Sequence, residues 1–187
     1  MRAAHVGLLY YDDFKGLRSV AYAQSIITHA HELGIEGAVL QAFAVALAIK
    51  EDPSKGLNAH AFLERLLGFT TNTMYKEKLE MALSLLNEKP DKHKVVENLG
   101  NTVEAYNSVP TAIYCFLRNY QSFEKAVTYA VSLRGDRDTI AAMTGAISGA
   151  YHGVKAIPEH WLNKLEKKAY IEKLAEDLWR LKKQHRL

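Results

Sequence analysis

Ser132-Leu133-Arg134-Gly135-Asp136-Arg137-Asp138-Thr139-Ile140-Ala141-Ala142-Met143-Thr144-Gly145-Ala146-Ile147-Ser148-Gly149-Ala150-Tyr151-His152-Gly153 is the stretch around which the chain is organised. Two carboxylates, Asp136 and Asp138, stand two residues apart, Thr139 adds a hydroxyl, and a helical pattern rich in small residues begins at once. Such oxygens are hard donors of the kind Mg²⁺ and Mn²⁺ prefer, whereas zinc prefers nitrogen and sulfur. Gly135 allows a sharp backbone turn that brings both carboxylates to one point. A plainer reading stands beside this one. Aspartate and threonine are common helix N-caps, and negative charge stabilises a helix start by itself.

Behind the acidic pair, Gly145, Gly149 and Gly153 recur every fourth residue and share one helical face with Ala141, Ala142, Ala146 and Ala150. Each glycine disfavours a helix by roughly 1 kcal/mol relative to alanine, so the stripe predicts a backbone packed very closely on a neighbour. Thr144, Ser148 and His152 interrupt the apolar run, which is too short to cross a bilayer. The stretch is therefore expected to be the buried central helix of a soluble bundle.

Working outward, every further segment is helical in pattern. Residues 12 to 33 place Val20, Ala23, Ile26, Ile27 and Ala30 on one face, with Asp12 or Asp13 near the start and Gly34 ending the helix. Residues 35 to 50, rich in glycine and alanine, predict a thin helix. Residues 59 to 67 and 74 to 87 are amphipathic, the latter with Leu79, Leu83 and Leu86 on one stripe. Asp91 caps a helix running to about Tyr106, and Ser108-Val109-Pro110 opens the next, with proline in its first turn. Residues 122 to 133 form another. After Pro158 come two short helices, the last at 170 to 185 burying Ile171, Leu174, Leu178 and Leu181. No strand-like alternation, repeat or low-complexity linker interrupts this all-α pattern.

The chain of 187 residues, 21.0 kDa, is long enough for a single domain with its own core. Its 48% apolar content excludes a disordered chain, and a net charge of +3 argues against nucleic acid or an anionic membrane as the main partner. The lone cysteine, Cys115, lies in an apolar run and reads as a buried, inert thiol. His29 and His31 are two apart, the wrong spacing for a helical zinc pair.

The pattern Gly135-Asp136-x-Asp138-Thr139-Ile140-Ala141-x-Met143-x-Gly145-Ala146-Ile147-x-Gly149-Ala150-Tyr151-x-Gly153 resembles the C-terminal metal motif of the ADP-ribosyl-acceptor hydrolases, relatives of the dinitrogenase reductase-activating glycohydrolase. Thr28-His29-Ala30 with Gly37 to Ala42, Ser108 to Arg118, and Ile157-Pro158-Glu159 before Trp161 are similar to the branch that cleaves serine-linked ADP-ribose and poly(ADP-ribose). The resemblance implies an orthogonal multi-helix bundle of the ADP-ribosylglycohydrolase type. It also implies a hydrolase with two Mg²⁺ ions, or Mn²⁺, that orient the ribose and activate water for attack at the anomeric carbon.

By the same carry-over Asp136, Asp138 and Thr139 are metal ligands, and His29 and Val103 contact ADP-ribose. The family's catalytic glutamate, a Thr-Asp-Asp metal cluster and a glycine-rich diphosphate loop are expected N-terminal to Met1, so the chain is expected to be the C-terminal part of the domain and inactive or weak alone. A catalytically inactive helical binding module is the alternative. The resemblance further implies a monomer acting on ADP-ribose or ADP-ribosylated protein in the DNA damage response, in the cytoplasm, nucleus or mitochondrion.

Two departures from the family pattern stand out. Arg134 replaces a glycine, and in a left-handed conformation it costs about 1–2 kcal/mol. Arg137 sets a cation beside the acidic pair; at about 5 Å and an effective dielectric near 20 it opposes a dication by several kcal/mol.

Overall fold

The computed structural model describes residues 2–185, and all regular structure in them is helical. The helices are α1 (Ala4–Leu9), α2 (Phe14–Ile26), α3 (Glu32–Ala48), α4 (Ala59–Phe69), α5 (Thr73–Glu88), α6 (Lys92–Leu99), α7 (Ala105–Arg118), α8 (Phe123–Ser132), α9 (Arg137–His152), α10 (Glu159–Leu162) and α11 (Lys168–His185). Single 3₁₀ turns lie at Pro53–Lys55 and Val154–Ala156. No described helix is long and apolar enough to cross a membrane.

The spine of the bundle is α3. Every residue from Val39 to Ala48 is buried, on all sides of the helix, because α1, α2, α4, α7 and α9 pack around it. Small side chains make that crowding possible. A Cβ on Gly7 of α1 would collide with the Ala42 carbonyl oxygen and lie 2.9 Å from Val45 Cβ, while one on Gly37 would strike the Tyr75 hydroxyl and lie 3.0 Å from Ala105 Cβ. Central burial thus belongs to α3, and α9 takes a flanking place against α7 and α8.

The glycine stripe of α9 is correspondingly looser than its spacing predicts. A Cβ at Gly145 would meet Val127 at 3.5 Å and one at Gly149 would meet Phe123 at 3.8 Å, both ordinary contacts. Gly153 instead ends the helix with φ +77. Within α9, Thr144 Oγ1 donates to the carbonyl oxygens of Ile140 (2.8 Å) or Ala112 on α7 (3.2 Å), so its burial is satisfied.

Several boundaries and faces differ from the sequence expectation. The helix expected over 12–33 stops at Ile26, and its buried face is Leu17, Ala21 and Ser25, leaving Ile26 and Ile27 exposed. The break falls at residues 27–31, where the His31 side chain caps α3 by accepting from Leu33 N, so Gly34 sits inside the first turn of α3. On α5 the buried stripe is Tyr75, Leu79, Ala82 and Leu85, with Leu83 and Leu86 at its margin. Asp91 caps α6 as expected, but Gly100 (φ +86) ends that helix, and Pro110 lies well inside α7. Ile171, Leu174 and Leu181 on α11 are exposed rather than buried and Leu178 is only partly buried; among the described residues Lys182 joins this helix to the body, pairing with Asp12 and lying over the Tyr11 ring.

Candidate functional site

The loop between α2 and α3, the loop between α6 and α7, and the mouth of α9 converge on one cleft of about 820 Å³. Each wall has a local cause. The break at residues 27–31 places Thr28 and His29 on the first wall. The left-handed Gly100 releases the chain from α6 and delivers Val103 to the second. Arg134 and Gly135, with φ 62 and 58, turn the chain sharply into α9 and set Asp136 and Thr139 on the third.

Asn101 holds the last two walls together. Its carbonyl accepts from Asp136 N at 2.7 Å, and its side-chain amide donates to Leu133 O at 2.8 Å. Gly135 lies so close to the Asn101 carbonyl that a side chain there would collide with backbone. Beneath this strap Thr111 donates to Gly100 O at 2.7 Å. The cleft wall is therefore one hydrogen-bonded unit running from Gly100 to Asp136.

Asp13, Asn58, Asn72, Asp91 and Ser122 each accept a backbone N–H at the start of their helices. Asp136 occupies the same position before α9 and makes no such bond. Its half-buried carboxylate lines the cleft instead.

Asp138 differs: it is exposed and does not line the cleft. Asp136 and Thr139 are hard donors of the right chemistry, yet no three histidine, cysteine or acidic side chains gather to hold an ion among the described residues. Mg²⁺ keeps several waters and takes one or two carboxylates with substrate oxygens, so Asp136 and Thr139 would supply only part of such an ion's shell.

His29 and Val103 both line the cleft, on loops rather than on the helices expected for them. Val103 is 76% exposed, so it is not a core residue but an apolar wall facing the cavity. At the rim, Arg2 Nη2 donates to Thr28 Oγ1 at 2.7 Å, and Thr28 Oγ1 lies 2.8 Å from His29 Nδ1. On the floor, Gln41 is almost wholly buried; its Nε2 donates to Met143 O at 3.0 Å while its Oε1 has no partner. The other lining carboxylate, Glu104, is held below the ordinary glutamate value chiefly by a hydrogen bond from Thr102, so it favours the ionised form.

Arg2, Gln41 and Asn101 were not candidates from sequence. Gln41 had a signal, being an amide in a run otherwise made of apolar residues from Ala38 to Ala48. Asn101 had only its place beside Gly100. Together the walls offer an apolar face, two imidazoles, two carboxylates, several hydroxyls and a guanidinium, which suits a ligand with a flat apolar part and several oxygens.

Comparison with known proteins agrees with this arrangement. The ADP-ribosylglycohydrolase family model matches residues 1–187. Relatives include ADP-ribosylhydrolase ARH3 of Bos taurus and of Homo sapiens, each 35% identical over 97% of this chain and 56% of the relative. An uncharacterized protein of Archaeoglobus fulgidus is 33% identical over 97% of this chain and 57% of its own length. The chain thus spans about half the length of the curated relatives it matches. With a family match along its whole length and an all-helical bundle that gathers the motif residues at one cleft, the chain belongs to the ADP-ribosylglycohydrolase family.

Proposed function

We propose that the protein is an ADP-ribosyl hydrolase acting on serine-linked ADP-ribose or poly(ADP-ribose), and that this chain supplies the walls that hold the ADP-ribose. The observation that carries the reading is the convergence of His29, Val103, Asp136 and Thr139, from three separate loops, on one cleft. In this reading Val103 lies against the adenine, His29 and Arg2 face the anionic and hydroxyl oxygens, and Asp136 accepts hydrogen bonds from ribose hydroxyls. Gln41 Oε1 leaves an acceptor at the floor for a ligand donor; a buried acceptor left unmade costs about 1–3 kcal/mol. Mg²⁺ or Mn²⁺ enters the proposal only through Asp136 and Thr139, with Asp138 as an outlying third donor. The intracellular setting and the monomeric state belong to the same proposal.

A second reading, a binding module without hydrolysis, is favoured by one observation: ligand-facing groups from three loops line the cleft, while Asp138 of the metal motif stays outside it. The experiment that tests both incubates the 187-residue chain with a serine-ADP-ribosylated peptide and excess Mg²⁺ or Mn²⁺. Free ADP-ribose released over time is measured beside ADP-ribose binding by calorimetry. Saturable binding with slow or absent release is expected. Binding with metal-dependent release that Asp136→Asn removes assigns the bond cleavage to this chain, and absence of binding overturns both readings.

A further inference from the structure

The contacts at the cleft rim fix more than the position of His29. The Arg2 guanidinium can only donate, so Thr28 Oγ1 is the acceptor of their 2.7 Å bond. The Thr28 hydroxyl must then place its own proton elsewhere. Two acceptors are within reach: the Ser25 carbonyl oxygen at 3.5 Å and His29 Nδ1 at 2.8 Å. A hydroxyl donor prefers partners between about 2.5 and 3.0 Å, which favours the ring nitrogen over the Ser25 carbonyl. A histidine nitrogen that accepts a hydrogen bond carries no proton in the neutral ring, and the proton then sits on the other nitrogen. Among the described residues Nε2 makes no bond to the protein.

We infer that Thr28, held by Arg2, fixes neutral His29 with its proton on Nε2, so that the ring offers the cleft a hydrogen-bond donor for an oxygen of the ligand. Thr28 is a positioning residue, acting through His29, and Arg2 adds to its place at the rim the bond that orients Thr28. The inference rests on the ADP-ribose reading of the cleft for the ligand's identity, but the state of the ring is a property of the free protein. A donor at this place suits a phosphate or ribose oxygen and disfavours a ligand that presents a hydrogen-bond donor there. The chain order explains why Thr28 immediately precedes His29: neighbouring side chains can meet because residues 27–31 lie outside any helix.

The test uses the whole chain labelled with ¹⁵N-histidine, studied above neutral pH, with the His29 signals assigned by their loss in His29→Gln. Long-range proton–nitrogen correlation is expected to show a protonated Nε2 and an unprotonated Nδ1 that accepts a hydrogen bond. In Thr28→Val the Nδ1 signal moves toward that of an imidazole exchanging between its two tautomers, and Thr28→Ser restores it. ADP-ribose affinity is expected to fall about three- to tenfold in Thr28→Val and to recover in Thr28→Ser, with unchanged thermal unfolding in both. A proton found on Nδ1 in the native chain, or an Nδ1 signal indifferent to Thr28→Val, overturns the inference. If the ring behaves as stated but ADP-ribose leaves the wild-type Nε2 signal unmoved, the positioning by Thr28 is supported and the ligand reading of the cleft fails.

Discussion

At the residue scale, the left-handed pair Arg134–Gly135 carries a definite cost. Arg134 has φ 62, a conformation in which a side chain is strained. Arg134→Gly is therefore expected to stabilise the fold by about 1 kcal/mol, measured as a raised denaturation midpoint; a lowered midpoint contradicts the strain. Gly145 and Gly149 behave in the opposite sense to their sequence signature. Their Cα atoms have room for a methyl group, so Gly145→Ala and Gly149→Ala should each stabilise by up to about 1 kcal/mol. Gly37→Ala forces a methyl group onto the Tyr75 hydroxyl and should destabilise by about 1–3 kcal/mol. The Cys115 thiol, wholly buried, is pushed up by desolvation and stays unreactive in the native chain. Legibility at this scale follows from locality. Asp136, Thr139 and Gly135 could be read because their chemistry lies in adjacent residues, while Asn101 and Gln41 work through partners more than thirty positions away.

At the element scale, what a helix buries depends on its neighbours more than on its own pattern. The stripe expected on α2 contained Ile26 and Ile27, yet the buried face is Leu17, Ala21 and Ser25, spaced four apart along one side; Ile26 lies off that side in the last turn and Ile27 follows the helix end. The start of α7 at Ala105 was hidden for a similar reason: Glu104 makes no side-chain cap, so the sequence carries no start signal there. The C-terminal helix α11 shows apolar periodicity without burial, since it meets the body chiefly through Lys182. That contact has a pH dependence. The Asp12 carboxyl is held below its ordinary value of 3.8, first by the hydrogen bond from Lys182. Its contribution is present above that value and is lost as the pH falls through the lowered one. Asp12→Asn should accordingly speed amide hydrogen exchange in α11 near neutral pH and leave α3 protected; equal protection of α11 in both proteins contradicts the anchoring.

At the scale of the whole molecule, a buried small-residue spine and three loops that end on one cleft account for both the fold and the site. The all-helical class could be read directly, since every segment shows helical spacing and none alternates. Which helix is central could not, because the glycine stripe of α9 and the alanine run of α3 give the same signature of close packing, and only the three-dimensional neighbours separate them. Of the residues expected at the site, His29, Val103, Asp136 and Thr139 do line the cleft, whereas Asp138 stays outside. Whether the cleft takes ADP-ribose, as proposed, is read from backbone amide shifts mapped during an ADP-ribose titration of the chain. Saturable changes are expected at Thr28 to Ala30, at Val103 and at Asp136 to Thr139 together, with α11 unaffected. No saturable change, or changes confined to residues outside those three loops, would contradict the proposal.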